Sequence, residues 1–125
     1  RVEPTRPLPR WEDDGHAVTL ATRVVDLENG PVPAPGDGWD LVMVFRFLHR
    51  PLFGWLAEAV RPGGSLLYET FRTGQEVFGH PKHPRFLLRS GELSSAFPGW
   101  SVEAHEETAP KGGSLMSRYW LRRPL

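Results

Sequence analysis

From Trp39 to Thr70 the chain runs Trp39-Asp40-Leu41-Val42-Met43-Val44-Phe45, Arg46-Phe47-Leu48-His49-Arg50-Pro51, a striped segment, and then Arg61-Pro62-Gly63-Gly64-Ser65-Leu66-Leu67-Tyr68-Glu69-Thr70. The unbroken apolar stretch Leu41 to Phe45 lacks the alternation of a half-buried strand, so it predicts a strand covered on both faces. Pro51 suits the first turn of a helix, where its missing N–H has no partner to lose. Leu52, Trp55, Leu56, Ala59 and Val60 then share one helical face, which predicts a helix over Pro51 to Val60 laid across a sheet. Pro62-Gly63-Gly64 should stop it, and Ser65 to Tyr68 should form a second buried strand. A strand, a crossover helix and a second strand so close together imply a parallel pair, hence an α/β fold with a ligand edge at the strand ends.

The flanks fill in the rest of a mixed sheet. Residues 1 to 16 hold three prolines and four acidic side chains among scattered apolar ones, a composition that predicts a flexible Pro-rich arm before an α/β domain at 17–125. Val18 to Asp26 turns β-branched and predicts a strand over 20–26. Gly30 to Gly38, with three prolines and three glycines, must be a loop. Gly74, Gly79, Pro81 and Pro84 make 69–89 an irregular excursion at the ligand edge. A helix is expected from Ser90, as its cap, to Phe97, with Glu92 in the first turn. Ser101 to Glu106 and Leu115 to Arg122 predict an antiparallel hairpin across the turn-rich Thr108 to Gly113, closing one sheet edge.

Composition excludes several classes of function. Fifteen basic residues balance fifteen acidic ones, so no overall field favours nucleic acid or an anionic membrane surface. The absence of cysteine removes disulfides, thiolate nucleophiles and cysteine-ligated zinc. No apolar run approaches the length of a membrane span and the start lacks a signal-peptide core, which leaves the cytoplasm as the expected location.

Four stretches in order, Val24-Val25-Asp26-Leu27, Trp39 to Phe45, Leu48-His49, and Arg61-Pro62-Gly63-Gly64-Ser65-Leu66-Leu67-Tyr68, resemble the third strand, fourth strand, following turn and fifth strand of class I S-adenosylmethionine-dependent methyltransferases. The likeness extends to small-molecule enzymes similar to the tellurite-resistance methyltransferases and spans roughly residues 20 to 122. It implies a Rossmann-like sheet with an antiparallel last strand, S-adenosylmethionine as cofactor and a small-molecule substrate. The family's Gly-x-Gly-x-Gly turn, which admits the methionine part of the cofactor, occurs nowhere in the chain. The chain, which begins at Arg1, therefore reads as the C-terminal half of a longer enzyme or as a remnant of one.

Under the resemblance, the carboxylate of Asp26 and the backbone of Leu27 take the adenine edge; an Asx-turn with Asn29 is the competing reading of Asp26. Phe45 and Arg46, at the end of the fourth strand, face cofactor and substrate. His49 is placed as a general base, or as a residue that hydrogen-bonds its loop. Tyr68, Glu69 and Thr70 close the fifth strand as substrate contacts, Glu69 being equally a solvated strand exit. His80 and His83 with Glu76 suggest a metal, but Pro81 and Pro84 interrupt the helix such a site needs, and none is expected. Lys82, Arg85 and Arg89 make a cationic patch suited to an anionic substrate, or simply to solvent.

Two functions compete: a partial methyltransferase acting by in-line displacement, and a non-catalytic methyltransferase-like module serving as a scaffold or partner-binding unit. A nucleotide-binding domain ranks last for want of a phosphate loop. With its sheet neighbours missing, the strand at Leu41 to Phe45 should either self-associate or be covered by residues 1 to 26.

Overall fold

A computed structural model of the chain describes residues 6–7, 11–13, 16–109 and 114–125, with side chains from residue 19 onward. It divides into two compact units, Arg1–Ala34 and Pro35–Leu125.

In the first unit, β1 (Arg6–Pro7) pairs antiparallel with β4 (Ala21–Thr22), and β2 (Trp11–Asp13) pairs with β3 (His16–Val18). Two expectations change here. The described residues of the supposed arm form short ladders; its other residues, 1–5, 8–10, 14 and 15, lie outside the described ones. The strand expected over 20–26 contracts to Ala21–Thr22 and pairs with β1, outside the main sheet. Its β-branched run buries little, since Leu20 and Val24 are exposed, and so satisfying backbone groups matters more there than packing.

The second unit is α/β, built on a four-stranded mixed sheet ordered β5 (Trp39–Phe45), β6 (Val60–Phe71), β8 (Met116–Arg122), β7 (Ser101–Thr108). β5 and β6 run parallel, and β8 is antiparallel to both its neighbours. The hairpin thus forms as expected, although residues 110–113 of its turn lie outside the described residues. A 3-10 turn at Arg50–Leu52 leads into α1 (Phe53–Ala59), whose Leu56 and Ala59 are buried together with Leu52 of the turn, as the apolar spacing predicts.

The Gly-Gly segment differs from expectation. The helix already ends at Ala59, and β6 starts at Val60 and passes through Pro62-Gly63-Gly64. Trp39 pairs with Val60 but Leu41 with Ser65, so five steps of β6 oppose two of β5. Glycine is required in this bulge: Gly63 has φ +80°, and a Cβ on Gly64 would meet the Arg61 carbonyl at 2.9 Å and the Asp40 carbonyl at 3.0 Å. The second helix is also shorter than predicted. α2 covers Glu92–Ala96, left-handed Gly91 takes the cap position in place of Ser90, and the Glu92 carboxylate accepts the Arg89 N–H at 3.0 Å.

The core gathers on one sheet face, where Leu66, Tyr68, Tyr119 and Leu121 pack with Leu56, Leu93 and Phe97 of the helical segments. Each such fully buried side chain contributes on the order of 2 kcal/mol. β5 was expected to be buried on both faces and is not. Val42 and Val44 are half-buried against the core, whereas Leu41, Met43 and Phe45 are 49%, 55% and 58% exposed. Two-sided burial needs cover on both faces, and in this unit the core lies on one.

Candidate functional site

The parallel pair brings the C-terminal ends of β5 and β6 together, where open α/β sheets hold ligands. A cavity of about 600 Å³ opens there. Arg46, Leu48, Thr70 and Phe71 line it from the strand ends, and His80, Pro81, Lys82, His83 and Phe86 line it from the following excursion. Arg46 turns the chain out of β5 with φ +52°, the one positive value among the described non-glycine residues, while its N–H donates to the Glu69 carbonyl at 2.7 Å. Such strain in an arginine marks a position fixed by its surroundings. Its guanidinium carbon lies 5.9 Å from the centre of the Phe71 ring.

Two side chains that sequence reasoning missed secure the excursion. Gln75 is buried; its Oε1 accepts the Leu115 N–H at 2.6 Å and its Nε2 donates to the His80 carbonyl at 3.1 Å. Arg50 donates through Nη1 to the Arg85 carbonyl at 3.0 Å and through Nη2 to the Leu87 carbonyl at 2.9 Å, while also binding the Glu92 carboxylate. The only local hint was a polar residue within an otherwise Gly- and Pro-punctuated stretch. His83 caps the 3-10 turn Pro84–Phe86 by accepting the Arg85 N–H on Nδ1 at 3.1 Å, which leaves the neutral ring's proton on Nε2.

The residues expected at the site are distributed by the two-residue period of the strands. Arg46 and Thr70 meet at the large cavity. Phe45 and Glu69 line a second, smaller cavity of about 250 Å³, where the Glu69 carboxylate accepts from Arg118 Nε at 2.6 Å. Glu69 is therefore an ion-paired strand residue.

Tyr68 is in the core: its ring meets Phe53 edge-on, its hydroxyl donates to the Phe47 carbonyl at 2.5 Å, and burial pushes its pKa upward. His49 precedes the 3-10 turn without a side-chain cap and lines neither of these cavities.

Asp26 and Leu27 belong to the first unit. Asp26 Oδ1 accepts the N–H groups of Glu28 at 3.0 Å and Asn29 at 3.2 Å, the geometry of its competing Asx-turn reading, and these bonds hold its pKa below the usual carboxylate value. Of the residues considered for a metal, His80 and His83 share the large cavity, but the Glu76 carboxylate turns to the Gly74 N–H at 2.8 Å. Among the described residues no three His, Asp or Glu side chains form a metal-binding group, and no helix is long and apolar enough to cross a membrane.

No family model and no curated protein matches the chain. Among solved structures it is similar to the crystal structure of a possible exported protein from Bordetella parapertussis, with a TM-score of 0.46 and 16% identity over 75% of this chain. The match covers 43% of that protein, so the chain spans less than half the length of the structure it resembles.

Proposed function

We propose that this chain is the C-terminal part of an S-adenosylmethionine-dependent methyltransferase with a Rossmann-like sheet, acting on a small molecule. The observation that carries this reading is the meeting of strained Arg46, at the tip of β5, with Thr70, at the tip of the parallel β6, on one cavity. The helix-linked parallel pair and the antiparallel β8 beside it agree with the sheet the sequence resemblance implies.

The residues present fit one end of the cofactor. Within the first unit, the contact described for Asp26 Oδ2 is a long one, 3.5 Å to Asn29 Nδ2, which leaves it acceptor capacity for an exocyclic amine beside the Leu27 backbone. The glycine turn for the methionine end is absent from the sequence. The cofactor, when bound, supplies a methyl group on a sulfonium. The chain's own contribution is alignment by Arg46 and Thr70 and exclusion of water by Leu48 and Phe71. His49, off the cavity, has no proton to move in this reading.

Titration calorimetry of S-adenosylhomocysteine into a polypeptide in which a glycine-turn half precedes this chain tests the reading. Binding is expected, with Asp26→Ala weakening it about tenfold through the lost adenine contact. No binding to the unmutated polypeptide would remove the methyltransferase reading; unchanged affinity in the variant would remove Asp26 alone. The alternative, a non-catalytic partner-binding module, draws on the use of the Asp26 carboxylate in its own turn and on the exposed row Leu41, Met43 and Phe45.

A further inference from the structure

The large cavity has a one-sided chemistry. Its polar lining includes the guanidinium of Arg46, the ammonium of Lys82 and two imidazoles, and none of its lining residues is Asp or Glu. Among the described residues neither Arg46 nor Lys82 makes an ion pair. Several carboxylates of this unit are held by other partners: Asp40 by Arg61, Glu69 by Arg118, Glu76 by the Gly74 N–H and Glu92 by Arg50. Arg85, not itself a lining residue, sets its guanidinium carbon 4.4 Å from the ring centre of Phe86, which is one. Among the described residues, then, no carboxylate is paired with Arg46 or Lys82.

The walls are apolar and partly aromatic. Phe71 and Phe86 face the same space as buried Leu48, so an inorganic ion would leave this surface wet. A ligand with a flat apolar body and one negative group covers the walls and neutralises the cations together. About 600 Å³ is ample for such a compound.

We propose that this cavity binds a flat organic carboxylate, its ring against Phe71 and Phe86 and its anionic group toward Arg46 and Lys82. As the identity of the methyl acceptor this rests on the methyl-transfer reading, but binding itself requires no methyl donor.

The test is a titration of benzoate, benzamide and inorganic phosphate into the 125-residue chain, followed by amide chemical shifts. Benzoate should give saturable shifts at Arg46, Thr70, Phe71 and His83, with benzamide and phosphate each at least about tenfold weaker. Lys82→Gln, a loop substitution, should weaken benzoate about fivefold, and Arg46→Gln about tenfold, with unchanged melting temperature for the lysine variant. Equal affinity for benzamide, tighter binding of phosphate, shifts confined to another surface, or Lys82→Gln binding as well as the parent would each overturn the assignment. Failure of S-adenosylhomocysteine to bind, with benzoate binding intact, would sink the methyl-transfer reading and leave this one standing.

Discussion

The guanidinium of Arg50 holds the carboxylate of Glu92 through two hydrogen bonds, Nε to Oε2 at 2.5 Å and Nη2 to Oε1 at 2.9 Å, across 42 residues of sequence. The pair joins the turn before α1 to the start of α2, and the remaining Arg50 donors hold the Arg85 and Leu87 carbonyls. The wall carrying Phe86 is thereby fixed to the helix that crosses the sheet.

This pair makes stability sensitive to acid. The Arg50 hydrogen bonds hold the Glu92 carboxyl down at about 2 against the usual 4.5. The stabilisation is complete above about pH 4.5 and fades as pH falls toward 2, because the unfolded chain takes up the proton first. Glu92→Gln should cost about 2 kcal/mol at pH 7, between the values for exposed and buried pairs. It should also flatten the decline below pH 4.5. Thermal melts from pH 7 to pH 2.5 check both, and parallel curves for parent and variant would refute the linkage.

Gln75 satisfies two backbone groups of distant segments from a buried position. Gln75→Ala leaves the Leu115 N–H and the His80 carbonyl without that partner, at an expected cost of about 1–3 kcal/mol. Urea denaturation measures it. A change within experimental error would mean that water replaces the amide.

β5 is the edge strand of its sheet, and its even residues face β6: the Arg46 N–H donates to Glu69. By alternation the N–H groups of Leu41 and Met43 point to the open edge. Light scattering should show association that grows with concentration, reversed by Met43→Lys, with slow exchange at those two amides. Slow exchange at every concentration would instead indicate that the edge is covered within a single chain. A monomer whose Leu41 and Met43 amides exchange freely would show that the edge needs no partner.

The sequence by itself determined that a strand, a helix and a second strand follow one another between Trp39 and Tyr68, and that a hairpin follows Ser101, because apolar spacing and Gly/Pro punctuation act within a few residues. It also placed Arg46 and Thr70 near neighbouring strand ends, where both line the cavity. Tertiary structure alone decided the rest. Which of Phe45 and Arg46, or Glu69 and Thr70, reaches the cavity depends on sheet register, a two-residue period that flips with one step. Arg50 with Glu92, and Gln75 with Leu115, are partners 42 and 40 residues apart, beyond any local pattern. The exposure of Leu41, Met43 and Phe45 likewise depends on what covers the sheet, and an apolar run records only that cover is wanted, not that it is present.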